Sequence, residues 1–317
     1  MEYSKLGTTN LNISRIGCGC WAISGHGYGH VDDAESINAI RKALDEGINF
    51  FDTADVYGFG HSEEILSKAL GAERKKVVIA TKFGVCWDAD GKTYKDCSPK
   101  SIHEAIEGSL RRLRIDCIPL YQIHWYDHVT PIPEIMNTLK KYQEAGKIMH
   151  IGCSNFSAEL IKEALRVHRL DSLQTLFNII ERDSEADIIR SRAEWDIGII
   201  AYGVLARGLL SGKYVSERKF CGNDTRQKDK NFQGEQFKQN LKVIEELTRI
   251  SKRYDKHPSQ VAIRWVLEHK NITCALVGAK NSQQVENNSR VFDWVLSAED
   301  FNLISALTKF AAPQPQW

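Results

Sequence analysis

Short apolar runs alternate with longer stretches in which apolar positions recur every three or four residues, almost from one end of the chain to the other. The runs read as strands at 15–19 (RIGCG), 48–52 (INFFD), 77–82 (VVIATK), 118–125 (IPLYQIHW), 150–155 (HIGCSN), 172–175 (SLQT), 197–202 (IGIIAY) and 274–279 (CALVGA). Between them, 33–46, 98–113, 131–146, 157–168 and 184–195 carry the helical period, and "HSEEIL" continues the second strand's connection into a helix. "SPKS" at 98–101 is a helix start, a capping serine followed by proline in the first turn. Gly47 and Gly146 stand where helices close.

Strands that are apolar throughout, separated by helices, indicate a parallel sheet covered on both faces. Eight such units without a linker or composition break predict one domain over 1–317, a closed (β/α)8 TIM barrel. Two connections are longer than the repeat needs, 84–98 after the third strand and 206–236 after the seventh. In a barrel, loops that follow strands gather at the C-terminal face, so both are expected as extended loops there, with 22–32 and 125–130 beside them.

Composition narrows the function without naming it. The 317 residues are 42% hydrophobic, and 42 basic residues balance 41 acidic ones, so neither nucleic acid nor an anionic membrane is indicated as a partner. The N-terminal stretch lacks the basic and apolar segments of a secretory signal, and no run approaches a membrane span. Eight scattered cysteines without a CxxC pair read as buried thiols in a reducing compartment, which places the chain in the cytoplasm.

Candidate chemistry collects at the strand ends. Asp52 ends the second strand, Lys82 the third and His124 nearly ends the fourth, while Tyr57 follows Asp52 on a connection with Gly58 and Gly60. In a parallel barrel these points are neighbours on one rim, where barrels perform chemistry. Singly, each has a plain structural explanation: an ion pair, a satisfied phenol and a core imidazole. Four titratable side chains on three consecutive strand ends point to a site.

The segments "FDTADVYGFGHSE", "ATK", "LRRLRIDCIPLYQIHW", "GKIMHIGCSNF", "YGVLARGLLSGKY" and "VGAKNSQQVENN" together resemble the aldo-keto reductases, from Tyr3 to Thr308. The resemblance implies a catalytic tetrad of Asp52, Tyr57, Lys82 and His124, and a nicotinamide cofactor lying extended across the barrel face. It implies NADPH reduction of an aldehyde or ketone, with NADH as the alternative cofactor. Tyr57 would be the general acid, its pKa brought down from about 10 by the Lys82 cation, which Asp52 holds. His124 would orient the carbonyl oxygen.

By the same resemblance, Ser154, Asn155 and Gln174 meet the nicotinamide carboxamide, and Tyr202 stacks on the ring. Gly203, Leu205 and Gly208 offer amides to the pyrophosphate, with Val204 where family members often have proline. Gly278, Ala279 and Lys280 border the adenosine ribose, Lys280 facing a 2′-phosphate, while Gln284 and Asn288 reach the adenine. Gly19, Cys20 and Trp21 border the nicotinamide, and Asp52 also belongs to this cofactor set. Trp21, Tyr57, Trp87, His124 and Trp125 would line the substrate pocket, with Tyr28 and Tyr126 on the same rim.

Other patterns lead elsewhere. "GCGCWA" at 17–22 matches the dinucleotide fingerprint, but "ISGHGYGH" follows instead of a helix. The pairs His26/His30 and His124/His128 have zinc spacing on loops rather than helices, so no metal is expected. "RRLR" at 111–114 reads as a solvated face. Two rivals remain: an NADPH-binding regulatory subunit of the channel-ancillary type, and a metal-dependent barrel hydrolase. The early start of the barrel pattern favours the enzyme over the first, and the single strand-end histidine disfavours the second. The expected partner is a small-molecule carbonyl substrate, with a homo-oligomer left open.

Overall fold

A computed structural model describes residues 1–25, 27, 29, 31–185, 189, 192–214, 220 and 224–308. The chain opens with an antiparallel hairpin, β1 (Tyr3–Lys5) and β2 (Asn12–Ser14). It continues through β3 (Ile16–Gly19), β4 (Phe50–Asp52) and β5 (Val78–Phe83). A second antiparallel hairpin, β6 (Val85–Trp87) with β7 (Thr93–Lys95), precedes β8 (Ile118–Ile123) and β9 (Ile148–Ser154). β10 (Ser172–Leu176), β11 (Gly198–Tyr202) and β12 (Ile272–Gly278) complete the set. Outside the two hairpins, the eight strands pair in parallel and close, β3-β4-β5-β8-β9-β10-β11-β12 and back to β3. This is a (β/α)8 TIM barrel.

Helices cover the outer face: α1 (Asp33–Asp45), α2 (His61–Leu70), α3 (Pro99–Leu113), α4 (Ile132–Glu144) and α5 (Ala158–Val167) in the first five units. The short α6 (Arg192–Trp195), then α7 (Gly234–Arg253), α8 (Pro258–Glu268), α9 (Ser282–Ser289) and α10 (Ala298–Leu307) follow. Their starts obey local chemistry: Asp32 caps α1, and Ser98 caps α3 ahead of Pro99. Gly47 (φ 82°) and Gly146 (φ 73°) close α1 and α4 in the left-handed region.

The strand period of two sorts the barrel interior into layers. Phe50, Ala80, Leu120, Ile200, Cys274 and Leu276 pack into one interior cluster together with Leu6 and Ile13, which flank and belong to the first hairpin. Two residues further along the same strands come Asp52, Lys82, Gln122, Tyr202 and Gly278. A greasy lower layer thus supports a polar upper one at the C-terminal ends. The intervening residues, such as Phe51, Ile79, Tyr121, Ile199 and Ala275, face the helices and join the larger outer core. Each fully buried Ile, Leu or Phe contributes about 1.5–3 kcal/mol.

The structure trims several expected boundaries. The strand read at 48–52 begins only at Phe50: the Asn49 carbonyl still accepts from the Val78 amide, but its own amide donates to Ser14 Oγ, and its side chain accepts from the Ser14 amide and donates to the Asn12 carbonyl. The strand read to Trp125 stops at Ile123, although the His124 amide still donates to Phe83. Both hairpins lie outside the sequence reading, the second inside the surplus at 84–98. Of the helix read at 184–195, Arg192–Trp195 is helical, while 186–188, 190 and 191 lie outside the described residues, as do His26, Tyr28, His30 and Cys221. The other seven cysteines are free thiols.

Candidate active site

The upper interior layer assembles the four expected side chains. Lys82 is fully buried, and its ammonium has three acceptors for three protons: Asp52 Oδ1 at 2.6 Å, the Thr53 carbonyl at 2.8 Å and the Tyr57 hydroxyl at 3.5 Å. The other Asp52 oxygen accepts from Gln174 Nε2 at 2.7 Å and Gln122 Nε2 at 3.2 Å. A carboxylate has the lone pairs to serve all three donors, which is what lets a buried ion pair persist.

Tyr57 reaches this lysine because of how its connection turns. Gly58, Phe59 and Gly60 are all left-handed, with φ of 62°, 57° and 99°. A Cβ on Gly58 would stand 2.4 Å from the Ser24 carbonyl oxygen, so the loop is pressed against the β3 connection and only glycine fits. Ser62 locks the same junction, accepting from Thr53 Oγ1 and donating to the Cys20 carbonyl. The Tyr57 ring stacks on Trp21 at 6.1 Å and meets His124 edge-on at 5.6 Å.

Titration departs from the sequence expectation. Burial, then the Asp52 carboxylate, push the Tyr57 phenol well above its ordinary value, with the Lys82 ammonium 3.5 Å away. Burial is the larger cause, because it removes the solvation a phenolate needs. Burial first, and Lys82 second, hold His124 well below the usual histidine range, so its imidazole is neutral. His124 Nδ1 is buried and finds no partner among the described residues.

Further round the rim, Asn155 (φ 60°) ties three strand ends together: its Nδ2 donates to the His124 carbonyl and Ser154 Oγ, and its Oδ1 accepts from the Tyr202 hydroxyl at 2.8 Å. Gly203 (φ 67°) follows Tyr202, and its carbonyl accepts from Asn178. Leu205 and Gly208 lie at a kinked 3-10 segment, with the Gly208 amide donating to the Leu205 carbonyl. Gly19 and Gly278 are register partners at the ends of β3 and β12, beside Cys20. Lys280 lies near Asp224 and Arg226, and burial lowers its ammonium. Gln284 caps the turn by accepting from the Lys280 amide, and Asn288 is buried on α9. The Thr225 amide and hydroxyl both donate to the Gly27 carbonyl, so the connection after β11 crosses to the one after β3.

Trp87 stands 5.6 Å from Phe59, and Lys95 sits 4.9 Å over the Trp125 ring, so the second hairpin packs against two of the loops bearing the site. Gln122 escaped the sequence reading. The alternation Leu120, Gln122, His124 was its signal, a polar residue in phase with the interior of a buried strand.

The arrangement suits a nicotinamide cofactor. Tyr202, anchored through its hydroxyl to Asn155, and the Ser154–Asn155 pair stand beside the four expected side chains, Asn155 donating to the His124 carbonyl. Comparison with known proteins points the same way. The Aldo/keto reductase family profile matches residues 15–309. Aldo-keto reductase YhdN of Bacillus subtilis is 39% identical, over 99% of this chain and 96% of that protein. The NADH-specific methylglyoxal reductase of Escherichia coli is 33% identical, over 98% and 99%. The glycerol dehydrogenase AKR11B4 of Gluconobacter oxydans superimposes with a TM-score of 0.90 at 38% identity, covering 99% of this chain and 97% of that one. A match of this breadth, carried by a closed barrel with its polar layer at the strand ends, means that the chain belongs to the aldo/keto reductase family and is an enzyme of that family.

Proposed function

We propose that this enzyme reduces a small aldehyde or ketone to the alcohol, with NADPH as hydride source and Tyr57 as proton donor. The observation that carries the proposal is the Tyr57 hydroxyl held 3.5 Å from a buried lysine whose other protons are committed to Asp52 and Thr53. When bound, the reduced nicotinamide supplies the hydride to the carbonyl carbon. As negative charge builds on the carbonyl oxygen, Tyr57 delivers its proton there, leaving a phenolate beside the Lys82 ammonium. The raised resting value keeps the phenol protonated across neutral pH, so it is always loaded for reduction. Neutral His124 donates a hydrogen bond to the same oxygen and orients it, without a charge to repel Lys82.

Ser154, Asn155, Gln174 and Tyr202 would hold the nicotinamide end. Gly203, Leu205 and Gly208 would border the phosphates, and Gly278, Lys280, Gln284 and Asn288 the adenosine. Trp21, Trp87 and Trp125 would shape the substrate side, and the whole chain would act as one domain. The names of the glycerol dehydrogenase and methylglyoxal reductase relatives favour a short, oxygen-rich substrate.

The test is single-turnover oxidation of bound NADPH, mixed with methylglyoxal and with an activated aromatic aldehyde, in the native protein and in Tyr57→Phe. Loss of the nicotinamide signal in the first and a rate lower by about 10²–10⁴ in the second, with cofactor still bound, is expected. A silent native protein with cofactor bound would overturn turnover in favour of a binding role.

A further inference from the structure

A cleft of about 600 Å3 opens on the outer wall of the barrel between α2 and α3, and none of the four catalytic candidates lines it. Its lining is rich in cations: Lys68, Arg111, Arg112 and Arg114, with His61 at one side, against Glu64 and Asp33. Helical spacing puts His61, Glu64 and Lys68 on one face of α2, while Arg111 and Arg112 stand in the last turn of α3 and Arg114, left-handed at φ 55°, follows as its cap. His61 is held by Asp33 at 2.9 Å. Among the described residues, no ion pair joins Lys68, Arg111 or Arg114 to a carboxylate, so positive charge is in excess in the cleft.

Arg112 differs from its neighbours because it is fixed from behind. Its Nε donates to Glu63 Oε2 at 2.6 Å, and the other oxygen of this fully buried carboxylate accepts from Thr81 Oγ1 at 2.6 Å. Gly60 and Gly108 make room for its side chain: a Cβ on Gly60 would stand 2.7 Å from Arg112 Cδ, and one on Gly108 would stand 2.8 Å from Nη1. The guanidinium plane is thereby set, while its two terminal nitrogens make no hydrogen bond to any described residue. A planar fork with its inner nitrogen occupied and its outer two available matches the paired oxygens of a phosphate.

We propose that this cleft is a second anion-binding site, taking a small polyanion of the pyrophosphate type, with Arg112 as its fixed anchor. Lys68 from one helix and Arg111 and Arg114 from the other close on the remaining oxygens. A single phosphate would leave most of the volume to water, whereas two linked phosphates meet cations from both helices. The basic run at 111–114, a solvated face by sequence alone, becomes one wall of the site.

The test is calorimetric titration of inorganic pyrophosphate, without divalent cations, into the full chain saturated with NADPH. NADPH fluorescence is followed in parallel, so that displacement of cofactor is seen directly. One equivalent is expected to bind without displacing NADPH, more weakly as salt rises. Lys68→Gln/Arg111→Gln/Arg114→Gln, all exposed positions, is expected to weaken it by at least about tenfold with NADPH affinity unchanged. ADP titrated in the same way identifies the source: tighter binding than pyrophosphate assigns the site to nucleotide diphosphates, weaker binding to the inorganic ion. No heat with the native protein, displacement of NADPH, or equal binding by the triple variant would overturn the proposal.

Discussion

Asp52→Asn tests the arrangement on which the rest of the site depends. In the native protein the Asp52 carboxylate accepts from Lys82, Gln122 and Gln174, and both members of the ion pair are almost fully buried. Asparagine offers one acceptor oxygen and an NH2 group, so either Lys82 or the two glutamine amides must face a donor. Removing one partner of a buried pair costs about 3–5 kcal/mol, because the remaining charge is left without compensation. With an unfolding entropy of about 2.1 cal/mol/K per residue, 317 residues lose roughly 1.5 °C of Tm per kcal/mol. Asp52→Asn, and separately Lys82→Met, should therefore each lower Tm by roughly 5–8 °C. In the double variant the uncompensated charge is gone, so its cost should fall short of the sum by about 2 kcal/mol or more. The assay is denaturant unfolding of all four proteins, with Tm by calorimetry. Additivity within about 0.5 kcal/mol, or a single variant within 1 °C of native, would refute the coupling of this pair.

Other outcomes follow from particular atoms. Gly58→Ala places a Cβ 2.4 Å from the Ser24 carbonyl oxygen at a φ of 62°, and backbone cannot yield as a side chain can. Its expected cost is about 2–4 kcal/mol together with a large fall in kcat, since Tyr57 is the preceding residue; an active, stable variant would show the loop to be unconstrained. His269 packs among Phe177, Trp265 and Phe301, and burial brings it from 6.5 to about 4. The folded state therefore binds fewer protons than the unfolded one: stability is full above 6.5 and falls by about 3 kcal/mol as pH drops towards 4. His269→Leu should flatten that slope in urea unfolding at pH 4.5 and 7. Lys280→Met should raise the KM for NADPH about tenfold or more and leave that for NADH within about twofold, and an equal effect on both would remove Lys280 from phosphate recognition.

Much of this protein was legible in one dimension because barrel formation depends on a repeated local code. Apolar runs of strand length, helical spacing between them, a capping serine before Pro99 and glycines after α1 and α4 each have a purely local cause. Their eightfold repetition leaves few ways to bury every strand on both faces. The placement of Asp52, Lys82 and His124 at strand ends was legible for the same reason, since parallel strands bring their ends to one rim.

Tertiary packing decided what local pattern could not reach. Asn49 turns its amide and side chain to the first hairpin, far from it in sequence, while its carbonyl keeps the bond to Val78. Gln122 and Gln174 became supports of Asp52 only when the barrel closed and brought β8 and β10 across from β4. The direction of the Tyr57 shift is set first by burial and then by the Asp52 carboxylate, and neither the depth of the site nor that approach is specified by spacing along the chain. The basic run at 111–114 acquired a cleft because α2 packs beside α3, with Glu63 and two glycines fixing one arginine between them. Hydrophobic periodicity determines which face of an element is buried. Hydrogen bonds and contact ion pairs depend on separations of a few ångströms that exist only after the elements have packed.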